Sequence, residues 1–139
     1  MALMSATREA ERHVELALKC LEEGRALANK DPVQASEKLY KAAEEAVKAL
    51  ALHFGLSDIL GKVEKRGRWT VTELEDAVEA IAEKVGDWFR SSWDTAWVLH
   101  VWGFHEAKLD AKAVKLRAPS VEKMVEEAER LLKGRRPLR

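Results

Sequence analysis

The chain has 139 residues, and its 24 Lys and Arg are balanced by 24 Asp and Glu, so its formal net charge is zero. That balance gives no sign of a polyanionic partner such as duplex DNA, whose binding domains are usually strongly basic. One cysteine, Cys20, excludes an internal disulfide framework. No apolar run approaches the ~20 residues of a membrane span, so we expect a soluble cytoplasmic protein. Few side-chain amides among many charges are typical of hyperthermophile proteins.

The first half of the chain predicts an antiparallel helical hairpin. Apolar residues recur at helical spacing from Ser5 to about Ala28, which predicts the first long helix. The second helix has a clear start, because Asp31 is a good N-cap and Pro32 suits the first helical position. It runs to Gly55, a typical C-terminal stop.

The middle of the chain predicts a basic loop and then a third long helix. One further helical turn is expected at 57–61, and residues 62–69 then form a loop rich in Lys and Arg. Thr70 and Glu73 provide a capping box for the next helix. From there, apolar residues at alternating spacings of three and four predict a coiled-coil-like seam that reaches Trp88.

The stretch from Gly86 to Lys108 holds four of the five tryptophans and two of the four histidines. Read as an α-helix, it has one continuous face formed by Trp93, Trp97, His100 and Phe104. A helix that is apolar over most of its circumference is buried on several sides at once. We therefore expect either the central helix of a bundle or a helix shared with a second subunit.

The last part of the chain predicts a short turn and then a final helix. Asp110 is the expected cap of a turn that ends near Leu116, and Pro119 or Ser120 begins the final helix. No strand-like alternation of useful length is found. The predicted fold class is all-α, an up-and-down helical bundle with four long helices plus a shorter C-terminal helix. We expect a single domain over residues 1–134 and a disordered basic tail at 135–139.

The sequence lacks the common signatures of catalysis and cofactor binding. Helical zinc sites usually place two histidines four residues apart. His100 and His105 are five apart, which separates them by about 140° on an α-helix. No nucleophile elbow and no Gly-rich phosphate loop is present. We predict no metal, no cofactor and no nucleophilic residue.

Three features allow more than one interpretation. His100 is either a core histidine satisfied by a carboxylate or carbonyl of a neighbouring helix, or a general base or ligand-orienting group in a cleft. The tryptophans serve core or dimer packing, or they stack on a nucleobase. The basic loop is either a solvated surface or a phosphate contact. In the second case the candidate contacts are Lys65, Arg66 and Arg68.

Three stretches together resemble the archaeal PaREP family, and the similarity runs from about Glu9 to Leu132. They are DPVQASEKLYKAAEEAVKALA at 31–51, RGRWTV at 66–71 and WDTAWVLHVWGFHE at 93–106. That family is grouped with the HEPN (nucleotide-binding, helical) superfamily. The resemblance implies a helical bundle that is usually dimeric. It also implies a relation to ribonuclease toxins, to partners of minimal nucleotidyltransferases and to inactive binding relatives.

The chain departs from the ribonuclease signature of that superfamily, which is Arg, four to six residues, then His on a late helix. Arg90 precedes His100 by ten positions. Arg8 and His13 fit the spacing, but on the first helix, so we attribute that match to chance.

We therefore predict no catalytic residue and a non-catalytic, HEPN-like dimeric module. Its expected ligand is a nucleotide, RNA or a protein partner such as a nucleotidyltransferase. The candidate cleft residues are Trp93, Trp97, His100 and Glu106. The alternative is a metal-independent ribonuclease of toxin type with a displaced site at Arg90 and His100.

Overall fold

The computed structural model describes the backbone of residues 2–134 and the side chains of residues 5–134 as an all-α helical bundle. Its helices are α1 (Ala2–Leu27), α2 (Pro32–His53), α3 (Ser57–Arg66), α4 (Val71–Val85), α5 (Trp88–Val98) and α6 (Ala111–Leu132), with a π-helical segment at Leu99–His105 that continues α5. Across residues 2–134 there is no strand. None of the helices in that range is long and apolar enough to cross a membrane. The tail at 135–139 lies outside the described residues.

The predicted hairpin of α1 and α2 is confirmed. Asp31 caps α2 by accepting a hydrogen bond from the backbone N–H of Gln34 at 3.1 Å. At the other end, Gly55 has a φ of +61°, a conformation that favours glycine.

The centre of the bundle is α2 rather than the tryptophan-rich helix. Helix α2 packs against α1, α4, α5, the π-helical segment and α6. Its alanines allow this, because small side chains let neighbouring helices approach closely. Those with no exposed surface are Ala35, Ala42, Ala43, Ala46, Ala49 and Ala51. The expectation that the tryptophan-rich helix is central was therefore wrong, and its sharing with a second subunit stays a prediction.

Helix α3 replaces most of the predicted basic loop. Residues Ser57–Arg66 form one helix that ends at Gly67, whose φ is +82°. Basic side chains in its last turn interact favourably with the carboxyl end of the helix dipole. The capping box of α4 is confirmed, since the Glu73 carboxylate accepts from the Thr70 backbone N–H at 3.2 Å.

The C-terminal helix is not a shorter one, because the predicted turn and final helix are continuous. Helix α6 has 22 residues and passes through Pro119. It begins after Asp110, whose side chain accepts from the Ala113 N–H at 2.9 Å. An interior proline costs roughly 3 kcal/mol through its missing N–H and its ring clash. Fully buried apolar side chains beyond the proline are Val121, Met124, Val125 and Ala128. Their burial offsets that cost.

Candidate binding site on the π-helical segment

The π-helical segment brings together two histidines that an α-helix would hold apart. A π-helix closes hydrogen bonds over five residues, and here the Glu106 N–H donates to the Val101 carbonyl at 2.8 Å. Residues five apart therefore lie on one face, and Nε2 of His100 lies 3.2 Å from Nε2 of His105. The expectation that their spacing separates the two rings was wrong. Among residues 5–134, no group of three or more His, Cys, Asp and Glu is placed to hold a metal ion.

Gly103 lets this segment lie directly against α2. A Cβ atom at position 103 would collide with the side chain of Ser36. Ser36 is fully buried and donates its hydroxyl to the Pro32 carbonyl at 2.7 Å, so it has little freedom to move away. The missing side chain therefore sets how closely the segment approaches α2.

Two side chains of α2 hold His100. Its Nδ1 lies 2.9 Å from Oε1 of Glu37, and its ring stacks on Tyr40 with centroids 4.1 Å apart. Burial, together with the nearby Glu44, raises the pKa of Tyr40, so the ring stays neutral. His100 nevertheless remains 20% exposed. The carboxylate partner expected of a core histidine is therefore present, whereas a role for His100 as a general base or ligand-orienting group stays a prediction.

When both imidazole rings are neutral, the hydrogen bonds determine which nitrogens carry hydrogens. A carboxylate only accepts, so Nδ1 of His100 carries the hydrogen of its bond to Glu37. Nε2 of a neutral His100 is then an acceptor, and His105 must donate to it from its own Nε2. The remaining nitrogen of His105, Nδ1, carries a lone pair on an exposed side chain. The series of hydrogen bonds from Glu37 through His100 to His105 therefore ends at the surface in a nitrogen lone pair.

Aromatic rings surround this pair at different depths. Trp93 is fully buried and donates its indole N–H to Glu75 at 2.5 Å. Trp97 and Phe104 are half-buried, with ring centroids 5.1 Å and 6.5 Å from that of His100. The face predicted from helical spacing is therefore continuous, but its first member belongs to the core.

Only part of the expected cleft lies together. Trp97 and His100 are in contact, whereas Glu106 is exposed beyond the end of the π-helical segment. The residues that sequence reasoning missed are Glu37, Tyr40 and His105. A second histidine in an apolar run was a usable signal for His105. No sequence signal pointed to Glu37, because it is 63 residues from His100 in the chain.

The candidate phosphate contacts lie elsewhere. Arg66 is paired with Glu73 at 2.7 Å, while Lys65 and Arg68 are exposed. Helix α3 packs on α4, whereas the π-helical segment packs on α2, α5 and α6. These contacts do not bring the two sets of candidate residues together.

Neither arginine–histidine combination forms a pair. Arg90 makes two hydrogen bonds to Glu79 on α4, at 2.5 Å and 2.7 Å. His13 on α1 is bound instead to Glu45, with Nδ1 and Oε1 2.7 Å apart. The side-chain partners of His100 are Glu37 and His105, not an arginine.

Comparison with known proteins places the chain among archaeal relatives. The model of the archaeal PaREP1/PaREP8 family matches residues 12–125. The chain belongs to this family. A crystal structure of a Sulfolobus solfataricus protein is similar, with 39% identity and a TM-score of 0.70, over 87% of this chain and 93% of that one.

A solution structure of the same target protein, Orf c02003, is also similar, with 38% identity and a TM-score of 0.64. That similarity covers 86% of this chain and 88% of the other. No curated protein matches. PaREP membership confirms the resemblance seen in the sequence, and the solved relative shares this fold in both of its structures.

Proposed function

We propose that this protein is a non-catalytic binding module that holds a nucleotide or single-stranded RNA on the π-helical segment. The observation that supports this most is the surface pair of His100 and His105, anchored by Glu37. Trp97 and Phe104 lie beside the pair. A nucleobase requires a flat apolar surface, which the aromatic rings offer. Phosphate requires a hydrogen-bond donor, which His105 offers when it carries a second proton.

His105 is the proposed phosphate contact. Its Nε2–H is already used by His100, so an added proton binds at Nδ1. The resulting imidazolium donates from Nδ1 to a phosphate oxygen and from Nε2 to His100. Glu37, at the other end of this series of hydrogen bonds, orients His100 and through it His105.

The base is proposed to stack on Trp97 or Phe104. Stacking of a base on an aromatic side chain contributes about 1–3 kcal/mol and tolerates any sequence. A nucleotide held in this way has its base and its phosphate recognised by residues of one helical segment. This recognition does not need the basic residues of α3.

Binding to a labelled single-stranded RNA in EDTA, followed by fluorescence anisotropy, tests the proposal. We expect salt-sensitive binding that weakens about tenfold in His105→Ala, which removes one charge-assisted hydrogen bond. The control is His53→Ala, since His53 lies at the end of α2 and should not matter. Equal affinity of His105→Ala and the native protein would overturn the proposal. Without RNA binding, the surface becomes a candidate for a protein partner such as a nucleotidyltransferase.

The second candidate function is a metal-independent ribonuclease. The observation that favours it is the contact between two imidazoles, because one could accept the proton of a ribose 2′-hydroxyl while the other protonates the leaving 5′-oxygen. Arg90 is hydrogen-bonded to Glu79, so in this hypothesis His105 takes the place of Arg90 as the catalytic partner of His100. This function predicts cleavage in EDTA that leaves a 2′,3′-cyclic phosphate and is lost in His100→Ala. RNA binding without cleavage would reject the ribonuclease and support the binding module.

A homodimer is the other part of the proposal, and Trp102 is its proposed contact. This side chain is 51% exposed, and aromatic residues are enriched at protein–protein interfaces relative to the rest of the surface. We expect a dimer in sedimentation experiments and a shift toward monomer in Trp102→Ala, with unchanged helical circular dichroism. A dimer that persists in the variant would contradict this placement.

A further inference from the structure

A second candidate site lies between α1, the end of α2, α3 and the turn before α4. It is a cavity of about 540 Å³ whose polar lining comes from Glu9, His13 and Glu64. None of these residues belongs to the π-helical site, so the two sites share no side chain.

The cavity has an apolar wall. Leu52, Leu60 and Val63 line it together with the ring of Trp69. All four are only half-buried, and Leu60 and Trp69 pack against the core on their other side. Apolar surface left uncovered in a concave site favours an apolar ligand or ligand segment.

The polar side chains of the lining, apart from the Trp69 indole N–H, are hydrogen-bond acceptors. Glu9 and Glu64 are exposed carboxylates. Nδ1 of His13 carries the hydrogen of its 2.7 Å contact with Glu45, because a carboxylate only accepts, and Nε2 of the neutral ring is then also an acceptor. No lysine or arginine lines the cavity. A ligand that donates several hydrogen bonds and carries positive charge matches this lining.

We propose that this cavity binds an organic ammonium ion, meaning a protonated amine on an apolar stem. The stem lies against Leu52, Leu60 and Val63. The ammonium group lies between Glu9 and Glu64, and Trp69 adds a cation–π contact. An anionic ligand is disfavoured because both charged groups of the lining are carboxylates. The nucleotide proposed for the π-helical segment therefore does not fit here, and this inference does not rest on the proposed function.

Calorimetric titration with hexylammonium chloride tests the inference, with hexan-1-ol as the neutral match. In mildly alkaline solution the alkylammonium ion keeps its proton. We expect saturable binding of hexylammonium, and about tenfold weaker binding of the alcohol, because it lacks the charge that pairs with two carboxylates.

Two double variants locate the site. Glu9→Gln with Glu64→Gln should weaken hexylammonium binding about tenfold by removing both charges from the lining. Glu22→Gln with Glu83→Gln removes the same charge from exposed positions outside the cavity and should leave affinity unchanged. All four side chains are exposed, so neither variant should alter folding, which thermal unfolding checks.

The inference is overturned by any of three results. These are equal binding of the alcohol, unchanged binding in the cavity variant, or no saturation up to about 10 mM hexylammonium. A parallel titration with Nα-acetyl-lysinamide identifies the source of the ammonium group. Tighter binding of this compound than of hexylammonium indicates a lysine side chain of a peptide, and weaker binding indicates a free amine.

Discussion

Two histidine–glutamate pairs join α2 to its neighbours, and they differ in what surrounds them. Nδ1 of His13 on α1 lies 2.7 Å from Glu45, and Nδ1 of His100 lies 2.9 Å from Glu37. The two histidine side chains are almost equally exposed, at 21% and 20%. Anchoring by a carboxylate therefore does not distinguish them.

In the first pair a lysine also contacts the glutamate, whereas in the second pair another histidine contacts the histidine. Nζ of Lys48 lies 3.3 Å from Glu45. Burial alone would raise the pKa of Glu45, but the His13 hydrogen bond and Lys48 outweigh it and hold the pKa below its ordinary value. Nε2 of His100 instead meets His105. Helix pitch makes this difference, because only a π-helix places the residue five positions later on the same face.

The largest effect should come from changing the π-helical packing. Gly103→Ala inserts a methyl group against Ser36, and overpacking of this kind costs about 1–3 kcal/mol of unfolding free energy. It should also displace the segment and weaken RNA binding. Urea unfolding gives the free energy, and anisotropy gives the binding.

The matched control is Gly61→Ala in α3. A Cβ atom there meets nothing within 4 Å, so this substitution should leave the protein equally stable or slightly more stable. Equal stability of the two variants would show that the close approach at Gly103 is not needed.

A smaller loss of stability is expected when the pair of His13 and Glu45 is changed. Glu45→Gln should lower the unfolding free energy by about 1–2 kcal/mol at neutral pH, because a hydrogen bond to a charged group is lost. RNA binding should be unchanged, since the pair is a structural link. Urea unfolding and anisotropy on the same samples separate the two results. Loss of RNA binding without loss of stability would reverse the roles of the two pairs.

The same carboxylate should make stability depend on pH. The pKa of Glu45 is lower in the folded protein than in the unfolded chain, so its contribution is complete above the unfolded pKa of about 4.3. It is lost as the pH falls through the lower folded pKa. Urea unfolding between neutral and acidic pH should therefore show a shallower decline in Glu45→Gln than in the native protein. An identical decline in both proteins would contradict this assignment.

The smallest stability change is expected when the pair of His100 and Glu37 is changed. Glu37→Gln keeps a hydrogen-bond acceptor for His100, so the unfolding free energy should fall by less than about 1 kcal/mol. RNA affinity should fall about threefold, because an amide oxygen accepts the Nδ1–H of His100 more weakly than a carboxylate does, so the hydrogen bonds that orient His105 are weakened. Anisotropy titrations measure this, with Glu22→Gln as an exposed control. The prediction fails if both variants bind RNA equally.

Elements with local start and stop signals were predictable from the sequence. Asp31 caps α2 and the box of Thr70 and Glu73 caps α4, as expected. These signals act between residues three positions apart, so the sequence carries them completely. The extent of α6 was not predictable in this way, because the cost of Pro119 is offset by burial against other helices.

The site was only partly predictable, because it depends on helix pitch and on distant contacts. Trp97 and His100 lie together, as their spacing indicated. The π-helical geometry depends on how Gly103 meets Ser36 on another helix. Glu37 contacts His100 because the same packing brings the π-helical segment against α2. Periodicity analysis assumes a constant α-helical pitch, so it assigned His105 to the wrong face.

The most direct test of this account is the tautomeric state of each histidine, measured by ¹⁵N NMR of the imidazole nitrogens near neutral pH. We predict the hydrogen on Nδ1 in His100 and on Nε2 in His105, and a mixture of tautomers at His105 in His100→Ala. Finding the Nε2–H tautomer at His100, or no response of His105 to that substitution, would contradict the chain of hydrogen bonds from Glu37 to the surface.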